Sequence, residues 1–140
     1  MWRFVPVALA LVLTAVACDN GNSSTSASPT SPSVTLTPET FTGTVDVMGS
    51  DFHNFTAAQS GEVNVTLNAA GPPPTIFMGL GVGTPTGSAC ALFSSGFTNT
   101  QAGATPQLSG SVSAGTYCVE VYDIGNQGAP ITYTVTVLHP

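Results

Sequence analysis

The chain has 140 residues, enough for one domain, and 42% of them are hydrophobic, so it can build a core. Only 6% are charged, Arg3 is the single basic residue of the Lys and Arg class, and the formal net charge is -6. Nucleic-acid binding depends on Lys and Arg to neutralise phosphates, so this composition excludes it. With 15 Gly and 11 Pro, the chain is better suited to short strands and turns than to helices.

The N-terminus has the three parts of a secretory signal peptide. Arg3 is followed by an apolar run over residues 4–16, and small residues typical of a cleavage site precede Cys18. The run contains Pro6 and is shorter than the ~20 apolar residues that a membrane-spanning helix needs. We therefore predict that residues 1–17 are cleaved and that the protein is exported.

The stretch Leu-Thr-Ala-Val-Ala-Cys at residues 13–18 resembles a bacterial lipoprotein signal, although Ala15 stands where that family prefers Leu. The resemblance implies a lipid anchor on Cys18 with more than one acyl chain, which would hold the membrane stably. The protein would then be a membrane-anchored lipoprotein of the cell envelope, on its periplasmic or cell-surface side. The alternative is an ordinary signal peptide that leaves Cys18 as a free N-terminal thiol.

Residues 18–38 are rich in Ser, Thr and Pro and have almost no large apolar side chains. Such a segment cannot bury enough surface to fold, so we predict a disordered linker that precedes a domain at residues 39–140. Two cysteines lie in that domain, Cys90 and Cys118. In an exported protein we predict that they form a disulfide bond, the alternative being two buried free thiols.

Apolar and polar residues alternate with period two along the domain, as in strands with one buried face. Gly- and Pro-rich clusters separate the alternating runs, and no window shows a helical period. About eight short strands in such a chain predict an all-β, antiparallel β-sandwich. The four clearest runs are residues 41–48, 63–68, 117–121 and 131–137, and the four weaker runs are residues 52–57, 76–82, 90–94 and 107–112.

The position of Cys118 within its strand distinguishes between kinds of sandwich. Cys118 alternates with Tyr117 and Val119, so we expect it on the outer face with Glu120 and Tyr122. An immunoglobulin domain instead buries its disulfide between the sheets against a Trp, and no Trp follows the cleavage site. A jelly-roll-like sandwich with a peripheral disulfide is therefore the predicted architecture.

Two blocks of the domain carry a recurrent set of motifs: Gly-Thr at residues 43–44, Asp-Phe-His-Asn-Phe at 51–55 and an alternating strand at 61–67 in the first, and Gly-Thr-Tyr at 115–117 and Tyr-Thr-Val at 133–135 in the second. These motifs resemble those of the bacterial pre-peptidase C-terminal domain. That resemblance implies a non-catalytic, jelly-roll-like sandwich, which in relatives is appended to secreted peptidases. Some related domains bind collagen or other insoluble polymers, sometimes with calcium. Here His53 and Asn54 replace the second Asp and the aromatic residue of the family.

Groups that could perform catalysis are few. The two histidines, His53 and His139, do not complete a triad with a nucleophile, so we predict that the protein is not an enzyme. His53 and Asp51 are potential transition-metal ligands, but two ligands are too few for a site. We therefore interpret His53 as a solvated strand residue.

Calcium is the one cofactor that the sequence suggests. Asp46 and Asp51 flank the turn at residues 48–50, and Asp123 begins an oxygen-rich loop. Carboxylates and carbonyls from these segments could meet at one end of the sandwich and hold Ca²⁺. The alternative is that the three acids only solvate turns and cap backbone amides.

Exposed aromatic residues form the candidate ligand surface. The candidates are Phe93, Phe97 and Tyr122, because most other aromatic residues fall on the predicted core stripes. The alternative is that Phe93 and Phe97 pack under a long Gly- and Ser-rich loop at residues 94–105.

Together these features predict a monomeric, lipid-anchored envelope protein with a binding or adhesion module for an extracellular polysaccharide or protein. Two alternatives stay open: a structural envelope lipoprotein without a dedicated ligand, and an accessory domain to a secreted peptidase. An exposed aromatic patch, polymer retention and co-purification with a peptidase would distinguish the three.

Overall fold

The computed structural model describes residues 33–140, and this part of the chain folds into strands joined by turns. Within these residues there is no helix of the length and apolarity needed to cross a membrane. The signal peptide, Cys18 and most of the predicted linker lie outside the described residues. The strands are β1 (Thr37–Val45), β2 (Ser50–Ala57), β3 (Gly61–Gly71), β4 (Met78–Thr86), β5 (Ala89–Thr100), β6 (Leu108–Val112), β7 (Gly115–Tyr122) and β8 (Ile131–His139).

The strands form two four-stranded antiparallel sheets. Sheet A has the order β1-β8-β3-β6 and sheet B the order β2-β7-β4-β5. Strand β1 pairs with β8, β2 with β7, β3 with β6 and β4 with β5. This nested pairing is that of one long hairpin rolled up into two sheets, which is the jelly-roll arrangement. The predicted all-β, jelly-roll-like sandwich is confirmed.

Alternation along each strand decides which side chains enter the space between the sheets. In β8, for example, Tyr133, Val135 and Val137 are buried, and a threonine follows each of Tyr133 and Val135 on the outer side. The buried side chains of both inner faces make one continuous core. They are Val45, Phe55, Val63, Val65, Leu67, Ala70, Ile76, Met78, Leu80, Val82, Val119, Val121, Ile131, Tyr133, Val135 and Val137.

All eight predicted strands are present, but their bounds differ from the prediction, most of all in β1, β4 and β5. Strand β1 ends at Val45, because a turn closed by the bond from the Gly49 N–H to the Asp46 carbonyl (2.8 Å) follows it. Strand β5 continues to Thr100, so the predicted loop at residues 94–105 is largely wrong. A bulge after Leu92 interrupts the pairing with β4, and the polar residues within it look like a loop in the sequence.

The predicted disulfide between Cys90 and Cys118 is present, with a Cα–Cα distance of 5.9 Å. Cys118 is fully buried, yet it lies outside the core cluster, as its predicted outer-face position requires. A Cβ atom added to Gly83, which is opposite Cys118, would run into the backbone of Ala91. The start of β5 therefore crosses over this end of sheet B, and it both covers Cys118 and brings Cys90 within bonding distance.

Candidate functional site

A row of glycines opens the outer face of sheet B. Gly79 and Gly81 face outwards, because Met78, Leu80 and Val82 between and beside them are buried in the core. A Cβ atom on Gly79 would overlap the ring of Tyr122, and one on Gly81 would overlap the side chain of Leu92. Two large side chains therefore lie directly on the backbone of β4.

Apolar side chains flank this row on both sides. One row of paired residues crosses the four strands of sheet B. From β2 to β5 its members are Phe52, Glu120, Gly81 and Phe97. Residues directly opposite each other share a face, so all four positions belong to the outer face. Phe97 is 51% exposed. We call this surface the outer patch; it comprises Met48, Phe52, Leu92, Phe97, Glu120 and Tyr122.

The outer patch has a shallow depression of about 420 Å³ at one end, where Met48, Leu92, Glu120 and Tyr122 meet the turn before β2. Met48 is 88% exposed and has a φ of 60°, in the left-handed region. A non-glycine residue is uncommon in that region. The rim of the depression therefore presents a large apolar side chain from a strained backbone position.

Asp123 fixes the position of Met48. Its Oδ2 atom accepts a hydrogen bond from the Met48 N–H at 2.7 Å, and its Oδ1 atom accepts bonds from the N–H groups of Gly125, Asn126 and Gln127. These bonds favour the carboxylate, so they hold the pKa of Asp123 below its usual value, with the Met48 bond contributing most. One carboxylate therefore ties the turn after β1 to the loop after β7.

Tyr122 is the polar group of the patch that stays uncharged. Partial burial, and secondly the Glu120 carboxylate, raise the pKa of its phenol. At neutral pH the ring therefore offers an apolar face and a neutral hydroxyl beside one carboxylate.

The structure brings together two of the three predicted aromatic residues. Phe97 and Tyr122 belong to the outer patch. Phe93 follows Leu92 and points to the opposite face, where its ring lies 6.1 Å from that of Tyr117. The sequence analysis missed Phe52. It lies three positions before the core residue Phe55 on the same strand, and an odd separation places two strand residues on opposite faces.

The three acids predicted to bind calcium have separate structural partners. Asp51 accepts a bond from Tyr133, Asp123 caps backbone amides, and the main-chain oxygen of Asp46 closes the turn to Gly49. Across residues 33–140, no group of three or more His, Cys, Asp or Glu side chains is placed to hold a metal ion. Calcium binding stays a prediction.

A second polar cluster lies at the open side of the sandwich, where β1 and β2 are the neighbouring edge strands of the two sheets. The Tyr133 hydroxyl lies 2.8 Å from Asp51 Oδ2 and 2.9 Å from His53 Nε2. His53 Nε2 and Asp51 Oδ2 are 3.8 Å apart. We call Asp51, His53 and Tyr133 the mouth cluster.

Neighbouring residues of β1 shape the mouth cluster. The ring of Phe41 stacks on that of His53, with centroids 4.8 Å apart. A Cβ atom on Gly43 would overlap Asp51 Oδ2 and lie 2.7 Å from the Tyr133 hydroxyl, so a larger residue there would displace these two side chains. The side chain of His53 is 28% exposed. His53 is a strand residue, as expected, but its side chain is only partly solvated, because Phe41 of β1 and Tyr133 of β8 lie against it.

The donors and acceptors of the two hydrogen bonds in the mouth cluster can be assigned. The Tyr133 hydroxyl carries a single proton, which it donates to the Asp51 carboxylate, and it therefore accepts from the N–H at His53 Nε2. Burial, and then the bond and the charge of Asp51, raise the pKa of Tyr133 far above its usual value. The cluster thus joins sheet A to sheet B through a protonated phenol.

No protein-family model matches the sequence, and no curated protein matches it. Among solved structures, the chain is similar to PliG of Aeromonas hydrophila, a periplasmic lysozyme inhibitor of g-type lysozyme, with a TM-score of 0.40 and 15% sequence identity. The match covers 74% of this chain and 88% of the inhibitor. A likeness of this degree does not indicate a shared function.

Proposed function

We propose that the protein is an exported, non-catalytic binding module of the cell envelope, and that the outer patch recognises a basic protein surface. The proposal goes beyond the jelly-roll fold, which hosts many unrelated functions. It is supported by the composition, the geometry and the charge of the outer patch.

Met48 is the observation that carries the proposal. Its apolar side chain is 88% exposed, and its backbone occupies a conformation that Gly or Asn adopts with less strain. The turn itself needs only the amide of residue 48, which Asp123 binds. A strained, exposed methionine beside Tyr122 and Leu92 contributes nothing to the core, and such positions cluster at functional sites.

The residue types of the outer patch favour a protein partner. Phe, Tyr and Met are enriched in protein interfaces, and aromatic side chains are the usual anchors of binding energy. The described residues have no Lys or Arg, and their carboxylates include Glu120 within the patch and Asp123 at its rim. A partner that places Lys or Arg around an apolar contact would therefore complement both the shape and the charge.

Export and anchoring complete the proposed setting. The Cys90–Cys118 disulfide supports an oxidising compartment, because such bonds persist in exported proteins. We propose that lipid on Cys18 holds the module at the membrane, as the resemblance to a lipoprotein signal implies. The intact mass of the protein extracted from its native membrane tests this anchor: a diacylglyceryl group and an acyl chain on a chain that begins at Cys18 would support it.

Site-specific photo-crosslinking tests the recognition surface. A photoreactive amino acid is placed at position 48 or 97 of the full chain, and at Thr42 on the outer face of sheet A as the control position. We expect the same envelope protein to be crosslinked from positions 48 and 97 and not from position 42. The absence of such a product, or equal labelling from all three positions, would contradict the proposal.

Binding of the purified, crosslinked partner then gives the energetic test. Phe97→Ala should weaken binding at least about tenfold, as expected for a central aromatic contact. Phe93→Ala is the matched control, because Phe93 is also exposed (38%) but lies outside the patch. Binding should also weaken as salt rises. Retention on an insoluble polysaccharide that Phe97→Ala abolishes would instead favour the polysaccharide alternative.

A further inference from the structure

The mouth cluster holds three donor atoms of the kinds that bind transition metals: a carboxylate oxygen, an imidazole nitrogen and a phenol oxygen. Sequence spacing shows only Asp51 and His53, because Tyr133 comes from the last strand and from the other sheet. The structure therefore adds the third ligand that a metal site at this position requires.

The distances between the three donors fit a single ion. Asp51 Oδ2, His53 Nε2 and Tyr133 Oη form a triangle with sides of 2.8, 2.9 and 3.8 Å. The circle through the three atoms has a radius of about 1.9 Å, whereas nitrogen and oxygen ligands lie about 2.0–2.2 Å from a transition metal. An ion at that distance from all three would therefore sit about 0.6–1.1 Å out of their plane.

We propose that the mouth cluster is a ferric iron site, with Asp51, His53 and Tyr133 as ligands. Two of the three donors are oxygens that become anionic, and oxygen donors favour hard cations over soft ones. A highly charged cation beside Tyr133 would also favour the deprotonated tyrosinate over the protonated phenol. The remaining coordination positions would be filled by water from the open side of the sandwich, where Asp51 is 34% and His53 28% exposed.

The protons balance as follows. The O–H bond of Tyr133 breaks, an Fe–O bond forms, and the proton leaves to solvent. The neutral imidazole of His53 exchanges its proton from Nε2 to Nδ1, so that the Nε2 lone pair faces the ion. No electron is transferred. The absence of Lys and Arg in residues 33–140 means that no permanently charged cation of the domain opposes the approach of the ion.

The test uses the full chain and ferric citrate. A ferric ion bound to a tyrosinate has a visible ligand-to-metal charge-transfer band, which neither the metal-free protein nor ferric citrate shows. We expect the band to saturate at one iron per chain. Tyr133→Phe should abolish it, and Asp51→Asn or His53→Gln should weaken iron binding at least about tenfold, because loss even of groups beyond the ligands weakens metal sites 10- to 100-fold.

Tyr117→Phe and Tyr122→Phe are the matched controls, since each removes one phenol elsewhere and should leave the band unchanged. Far-ultraviolet circular dichroism shows whether each variant is folded. If Tyr133→Phe is not folded, the loss of iron affinity in Asp51→Asn and His53→Gln decides. The proposal is overturned by the absence of a band, by a band that Tyr133→Phe keeps, or by binding of Zn²⁺ or Ca²⁺ in preference to Fe³⁺. The outcome does not depend on the outer patch.

Discussion

The hydroxyl of Tyr133 lies 2.8 Å from Oδ2 of Asp51, although the two residues are 82 positions apart and belong to different sheets. The bond joins the two sheets on the side of the sandwich where β1 and β2 are the edge strands. Within residues 33–140, no backbone ladder joins the two sheets on this side of the fold. The side-chain bond thus supplies a polar link between them.

Removal of this link by Tyr133→Phe should lower the free energy of unfolding by about 1 kcal/mol, the usual net value of one hydrogen bond. Partial exposure of Asp51 keeps the loss near this value, because water can replace the phenol. Urea unfolding measures the change. Tyr117→Phe is not a neutral control, since its hydroxyl bonds to the Ser113 carbonyl at 2.9 Å; Tyr122→Phe serves instead. Equal stability of Tyr133→Phe and the wild type would contradict the prediction.

Gly43→Ala should destabilise the fold by about 1–3 kcal/mol, as expected for overpacking. The new methyl group would occupy the position of Asp51 Oδ2 and would press on the Tyr133 hydroxyl. Gly110→Ala is the control, because a Cβ atom there meets nothing within 4 Å. Comparison of the two unfolding midpoints checks the prediction, which fails if both substitutions have the same effect.

Reduction of the Cys90–Cys118 bond should cost about 3.6 kcal/mol, from the chain entropy of a loop spanning 28 residues. Because Cys118 is buried under the start of β5, we expect reduction to require partial opening of that strand. Urea unfolding with and without reductant gives the free-energy difference. A Cys90→Ser, Cys118→Ala variant should show the same loss of unfolding free energy without reductant. As the internal check, its stability should not change when reductant is added.

Asp123→Asn should loosen the turn that presents Met48 and reduce stability at neutral pH. The folded pKa of Asp123 is lowered, so its contribution is present above the ordinary value of 3.8 and is lost as the pH falls through the lower folded value. The difference in unfolding midpoint between the wild type and Asp123→Asn should therefore shrink in strong acid. A difference that is constant from neutral to acid pH would show that the carboxylate does not act through its charge.

Local patterns were sufficient to predict the strands, the two-sheet class and the disulfide. Alternation in β7 placed Val119 and Val121 in the core and Cys118, Glu120 and Tyr122 outside, because period two needs no long-range information. The end of β5 was missed for a physical reason: its bulge carries small polar residues that lack alternation, although the strand resumes beyond them.

The candidate sites depend on strand order, which no local pattern contains. Glu120, Gly81 and Phe97 form one row only because β4 lies between β7 and β5. Likewise, Tyr133 meets His53 only because β1 and β8 of sheet A close over β2 of sheet B. Positions along the chain therefore suggested a calcium site and a surface of three aromatic residues. The outer patch and the mouth cluster instead depend on which strands the topology places side by side.

The nested pairing of the strands has a consequence for the order in which they can pair during synthesis. A chain made from its N-terminus presents β1 early, but the partner of β1 is β8, with Thr37 opposite His139. Only the inner hairpin of β4 and β5 joins strands that are close in sequence. Closure of the roll must wait until synthesis of the domain is almost complete, and the edge of β1 remains open to other chains during that interval.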